Sequence, residues 1–488
     1  MRGANVFISP RTFSRFFVSL FFLAVPGEIL AIYFLTPGQA LLILGASVTI
    51  QAMPLMFLLS RTHSRKRGSE AELPFFLMTL SVFAHEANPS VQGGFRRISA
   101  LGRSVFPAFY REAEILERDD VFIQGSPMSV AEAAFANHPS PRLREFVQAF
   151  LKALSAGKDV AKFVKQETLV QIQKHERSWT AFSVSVGSLA EVAFILLALF
   201  PVGLEMVGTI VSGFTSSLLF IAPFAILAAV SVLVLALTDS MQPIVYDKPP
   251  STVWLALTIS AWGLSTAAFI SGFLDSREYV LIPLGISLLG FYETRKHYSI
   301  IRRGEQEVSS MLHDLAEESK AGVGLPESLS KLSDQAHKRF SSIEDPVRAF
   351  YQSTRIGLTP TEAQKRISHP SWLVRLGFGI LSIAFESGAG FEHLEELSSL
   401  FRKVSDARRS VTQSMIPFML IGAIVPVISV SAITFLAGFA QQSAPIGLPI
   451  FAVRSSQSSL ILSVSTVSML SGVLLSKLLT QTVRHQVA

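Results

Sequence analysis

The chain contains one stretch of its sequence twice, so whatever one half folds into, the other half is committed to as well. Residues 134–160 read AFANHPSPRLREFVQAFLKALSAGKDV and residues 366–391 read RISHPSWLVRLGFGILSIAFESGAGF. His138-Pro139 matches His369-Pro370, Arg144 matches Arg375 and Gly157 matches Gly388, each pair 231 positions apart with no gap between them. Each copy reads as a His-Pro-Ser turn, an amphipathic helix, a glycine stop and the start of another helix, with His138, Pro139, Gly157, His369, Pro370 and Gly388 as structural turn residues. Self-similarity of this kind points to an internal duplication.

Charge is distributed in two blocks. Residues 60–180 hold 17 Lys/Arg and 13 Asp/Glu, and residues 293–411 hold 17 and 16, which leaves eight of the 42 basic residues for everything else. The remainder is apolar enough to exclude an ordinary soluble domain. With no cysteine in the chain, disulfides, thiol catalysis and cysteine-based metal sites are excluded.

The apolar remainder divides into candidate membrane spans. They are Phe16–Leu35, Gln39–Leu59, Phe182–Pro201, Val207–Leu237, Val253–Phe273, Val280–Phe291, Ile416–Leu436 and Leu460–Leu479, eight in all, of which Val280–Phe291 is short unless its ends extend. The first could be a signal peptide, but no Ala-x-Ala site follows it and the hydrophobicity resumes after Glu28, so it reads as a span. The expected fold class is an all-α integral membrane protein. About eight transmembrane helices form two parallel tandem repeats, each with a cytoplasmic helical bundle inserted between its two membrane hairpins. The expected domains are a membrane hairpin at 1–59, a helical block at 60–180, a hairpin at 181–237, a hairpin at 238–292 with a short loop at 238–251, a second block at 293–411, and a hairpin with tail at 412–488. Within the first block, Asn88-Pro89 and Gly93-Gly94 read as breaks between helices.

Basic clusters at 61–67 and 295–303 border the membrane and place both blocks, and both termini, on the cytoplasmic side of the cell membrane. No phosphate loop, zinc-binding helix or nucleophile elbow occurs. The reading is therefore of a protein that is not an enzyme, with no cofactor, no metal and no nucleic-acid partner. Glu28 and Glu191 are intramembrane acids, candidates for a transport or conformational role, although neither has an acidic counterpart 231 positions on.

The second block resembles the F-domain of type II secretion and type IV pilus platform proteins, the archaeal pilus and archaellum branch in particular. The resemblance rests on Met311–Ser319, the turn Ala321-Gly-Val-Gly324, the helix from Leu325, then Gly357-Leu-Thr-Pro360, Glu386-Ser-Gly388 and Arg408-Arg409 before a membrane hairpin. Residues 126–180 match it more loosely, through Ser129-Val-Ala-Glu-Ala133 and Ser155-Ala-Gly157. What the resemblance implies is a platform under a growing filament, bound to membrane lipid. A hexameric secretion ATPase drives its cytoplasmic domains and pilin subunits are its cargo, with one copy or a homodimer at the base. On that reading Arg96, Arg97, Arg103, Arg355, Lys365 and Arg366 are the candidate ATPase-facing charges. The competing expectation is a multi-pass transporter or ABC-type permease served by a separate ATPase.

Overall fold

A computed structural model describes residues 37–83, 90–122, 126–210, 230–250, 252–273, 276–388 and 390–418, together with isolated positions up to 435. Among the described residues there is no strand. The helices are α1 (Pro37–Phe83), α2 (Val91–Leu101), α3 (Pro107–Phe122), α4 (Pro127–Ala136), α5 (Pro141–Ser155), α6 (Val160–Ile210), α7 (Val230–Met241), α8 (Thr252–Ile270), α9 (Ser276–Lys320), α10 (Leu325–Arg339), α11 (Glu344–Arg355), α12 (Pro360–Lys365), α13 (Trp372–Ser387) and α14 (Phe391–Ser414). The first and last expected spans, Glu28, the expected break at Asn88-Pro89 and much of the expected spans Val207–Leu237 and Ile416–Leu436 lie outside the described residues.

Helices α1, α6 and α9 run straight through the expected domain borders at 59/60, 180/181 and 292/293, for 47, 51 and 45 residues, so each helical block shares a helix with the apolar run beside it. The short apolar run 280–291 is thereby one part of a much longer helix, with Pro283 inside it. One expectation needs correcting: Gly93-Gly94 is no break, since both glycines lie within α2. A Cβ at Gly94 would stand 3.0 Å from Leu80 Cδ1, so this glycine serves close packing. The true stop is Gly102, whose φ of 85° is open to glycine and strained for other residues.

Local chemistry explains the helix starts. Ser90, Ser126, Ser140 and Thr359 each accept a hydrogen bond from a first-turn N–H, and Thr359 with Glu362 completes a capping box. Gly157 and Gly388 end α5 and α13 at φ of 62° and 64°, as the two aligned turns require.

The chain divides into two compact units. The first comprises Met1–Gln173, Ala349–Ile367 and Arg375–His393. Its core is aromatic: Phe76 meets Phe109 at 4.6 Å and Phe95 at 4.9 Å between ring centroids, and Phe95 meets Phe135 at 5.3 Å. Each such ring contributes about 1.5–3 kcal/mol on full burial. In the same unit α12 packs against α2, and a Cβ at Gly379 would come within 2.8 Å of Val105.

The second unit comprises Lys174–Arg348, Ser368–Val374 and Leu394–Ala488. Its core holds Trp179, Phe182, Val186, Ala190 and Phe194 of α6 against Val234, Val411 and Met415. Beside that core, large apolar side chains face outward: Val184, Val192 and Ile195 on α6, Val232 and Leu233 on α7, Leu264 on α8, Leu281 and Leu288 on α9. Among the described residues one helix, Val160–Leu196, is long and apolar enough by length and composition to cross a membrane.

Candidate functional site

The His-Pro-Ser turns build the same hydrogen-bonded unit in both places. The N–H of Ser140 donates to His138 Nδ1 at 3.1 Å, and the N–H of Ser371 donates to His369 Nδ1 at 3.1 Å. An accepting Nδ1 leaves the ring proton on Nε2, a tautomer assigned here from the bonding pattern. Each serine then caps its helix, accepting from Leu143 N–H and Val374 N–H. Each hydroxyl also donates to a glutamate one long helix away, Ser140 to Glu70 at 3.1 Å and Ser371 to Glu305 at 3.3 Å. Two residues along, Glu72 accepts from the N–H groups of Ala108 and Phe109, while Glu307 accepts from those of Ser341, Ser342 and Ile343. Glu72 thereby satisfies first-turn N–H groups of α3 that a helix start leaves without partners, and Glu307 holds the turn that leads into α11. His138 and His369 are therefore framework residues.

Beyond this common unit the two places diverge. In the first unit, Glu112 is buried and takes both oxygens of its carboxylate to Arg65, at 2.7 and 2.6 Å, with His138 Nε2 3.3 Å away. Burial pushes its pKa up, but the bonds and charge of Arg65 and the bond to His138 outweigh it and hold Glu112 at about 2.

In the second unit a single guanidinium holds two carboxylates. Arg408 of α14 donates to Asp247 at 2.8 Å and to Glu305 of α9, and all three side chains are nearly inaccessible. Asp247 also accepts from the N–H of Trp372 at the start of α13, at 2.7 Å. The Lys248 N–H donates to Pro370 O at 2.9 Å, which ties the chain after α7 to the His-Pro-Ser turn. Burial pushes Glu305 up to about 7; Arg408 pulls it down, Asp247 pushes it further up, and Ser371 and Arg302 pull it down. Burial opposes the charge on Arg408, yet Glu305 and Asp247 together raise its pKa well above the ordinary arginine value. Two acids facing one guanidinium favour a proton on Glu305 near neutral pH, with Arg408 charged throughout.

The expected partner-facing charges fall on the surface. Arg96, Arg103, Arg355, Lys365 and Arg366 are exposed. Arg97 is half-buried, its guanidinium 3.8 Å from the Phe83 ring centroid, so it belongs partly to the fold. Because α12 packs against α2, the structure brings Lys365 at the end of α12 and Arg96 of α2 onto neighbouring elements of one unit, with Arg366 and Arg103 just beyond the two helix ends. Glu191 is exposed on α6 beside Val192 and takes no part in either buried cluster.

Sequence reasoning missed Glu112, Asp247 and Glu305 and read Arg408 only as part of a family motif. One signal was available, since Glu70-Ala-Glu72 and Glu305-Gln-Glu307 are the same pattern 235 positions apart. The spacing is 233 at the Ser126-Pro127 and Thr359-Pro360 caps and 231 at the histidines, so a fixed offset hides the first pair. Among the described residues no cluster of His, Asp and Glu could hold a metal ion. Compared with family models, with curated proteins and with solved structures, the chain matches none.

Proposed function

We propose that this chain is a multi-pass membrane platform protein of an archaeal type IV pilus or archaellum-like machine, coupling a cytoplasmic hexameric secretion ATPase to the insertion of pilin subunits. In that role its eight spans form two parallel repeats and the two charged blocks face the cytoplasm. The observation that carries the reading is the continuity of α1, α6 and α9 from apolar runs into the charged blocks. A helix transmits displacement along its axis because its backbone hydrogen bonds run the same way, whereas a flexible linker would absorb the motion. Outward-facing apolar side chains on α6 to α9 support a lipid surface for those segments. The exposed cations of α2 and α12 suit an acidic protein partner.

The test is binding of the full-length protein, in lipid nanodiscs, to a purified hexameric secretion ATPase from the same organism. Salt-sensitive binding that raises ATP turnover and is weakened by reversing Lys365 and Arg366 supports the platform. Absence of binding, with ATP-dependent solute uptake in vesicles instead, would assign the chain to the permeases.

A further inference from the structure

Ser183 of α6 and Ser414 at the end of α14 share a hydrogen bond, Oγ to Oγ at 2.6 Å, and they are 231 residues apart. That is the spacing of His138 and His369 and of Gly157 and Gly388. One turn further on, a Cβ at Gly187 would lie 3.5 Å from the ring of Phe418, again 231 positions away. Two helices packed arbitrarily pair residues at arbitrary separations. Equivalent positions meet in successive layers when helices run parallel and in register about a two-fold axis lying along them, as in a two-stranded coiled coil. Around these two pairs the packing is not symmetric: Trp179, Phe182, Val186 and Ala190 of α6 share a core with Val411 and Met415, whereas their counterparts Ser410, Gln413, Pro417, Ile421, Thr180 and Val184 are exposed.

The match is not perfect, and its departures are informative. Gly187 has no side chain where Phe418 has a large one, so one half fills the space that the other leaves. Arg408 corresponds to Arg177, yet Arg177 is exposed while Arg408 turns inward to Asp247 and Glu305. Asp247 lies on the connection between the two halves, so only one side of the seam can make this bond. We propose that α6 and α14 with its continuation form an intramolecular two-fold seam. The surface through which a half-length chain would pair with a second copy is occupied by the chain's own other half, and one chain is the complete paired unit. An axis along the helices is also what parallel repeats in a membrane require. The inference rests on the duplication and not on the platform reading, since it concerns only which residues meet.

The chain has no cysteine, so crosslinking starts from a clean background. The full-length S183C/S414C protein is oxidised in native membranes, and its peptides are read by mass spectrometry. A 183–414 disulfide within single chains is expected, and S188C/S414C, which places one thiol on the exposed Ser188, should give none. S183C and S414C chains carrying different tags and expressed together should form no covalent pair. A short thiol-reactive crosslinker reads the same proximity should sulfur geometry prevent the disulfide. No link by either route, with both thiols reactive to maleimide, overturns the seam. Covalent pairs between differently tagged chains would also overturn it, by placing the contact between copies.

Discussion

Arg408 and Asp247, 161 residues apart, meet at 2.8 Å in a buried ion pair that fixes the connection between the halves to α14. Glu305 shares the same guanidinium, so α9, α14 and the connecting segment converge on one charge. Replacing Arg408 by alanine leaves two buried carboxylates without their cation. Breaking such a pair costs about 3–5 kcal/mol, whereas its net contribution against an apolar replacement is far smaller. Thermal unfolding of the purified protein should therefore show a large destabilisation for R408A. The addition of D247N to R408A should recover part of it by removing a carboxylate that the lost guanidinium had bonded, while its amide oxygen can still accept from Trp372 N–H.

Glu305 gives the network a pH signature. Its folded pKa of about 7 lies above the ordinary 4.5, so between those values the folded state binds more protons than the unfolded state. Stability from this group is therefore full below the unfolded pKa and declines as pH rises through about 7. E305Q should remove that decline, measured as the flattening of the melting temperature between pH 5 and 8 relative to the parent protein.

Glu112 predicts the opposite slope. Its folded pKa of about 2 lies below 4.5, so its contribution is complete above 4.5 and is lost as pH falls towards 2. The shift corresponds to roughly 3 kcal/mol at neutral pH. E112Q should be less stable at pH 7 and should lose little more on acidification. Denaturant unfolding at pH 7 and pH 3 checks both halves of the expectation.

The order of helices and the two His-Pro-Ser turns were legible because short-range rules govern them. A capping serine, a proline in the first turn and a glycine stop are read within a few residues, and α4, α5, α10 and α13 begin or end where those residues stand. The continuity of α1 was not legible, since a basic cluster beside an apolar run reads as the end of a helix. Arg65 in that cluster turns inward to Glu112 instead, and the helix carries on. The Asp247–Arg408–Glu305 cluster left no local pattern at all. Its members lie on a connection and two helices, 103 and 161 residues from Arg408, and burial alone makes them a unit.

Gly304 offers a packing test. A Cβ there would fall 2.6 Å from Cε1 of His369, a buried ring fixed by its bond from Ser371. G304A should cost about 1–3 kcal/mol through overpacking. Gly263, inside α8 with nothing within 4 Å of its Cβ position, is the control. G263A should be neutral or stabilising by up to about 1 kcal/mol. Melting temperatures of the two variants side by side decide whether the His-Pro-Ser turn is packed as tightly as described.

The exposed cations bear on whether an ATPase partner would read two sites or one. If the partner touched the two charged blocks separately, charge reversals in each would change binding independently, because distant sites add. The packing of α12 against α2 puts the exposed Lys365 and Arg96 on neighbouring elements, with Arg366 and Arg103 close to them in sequence. R96E/R103E and K365E/R366E should each slow association several-fold, as rim charges do. The quadruple variant should then lose less than the product of the two effects, since a partner that no longer docks on one part of the face gains little from the other. Association rates at two salt concentrations measure this directly. Full multiplicative loss would separate the two groups and leave each block with its own contact; a shortfall that vanishes at high salt would identify a single electrostatic face.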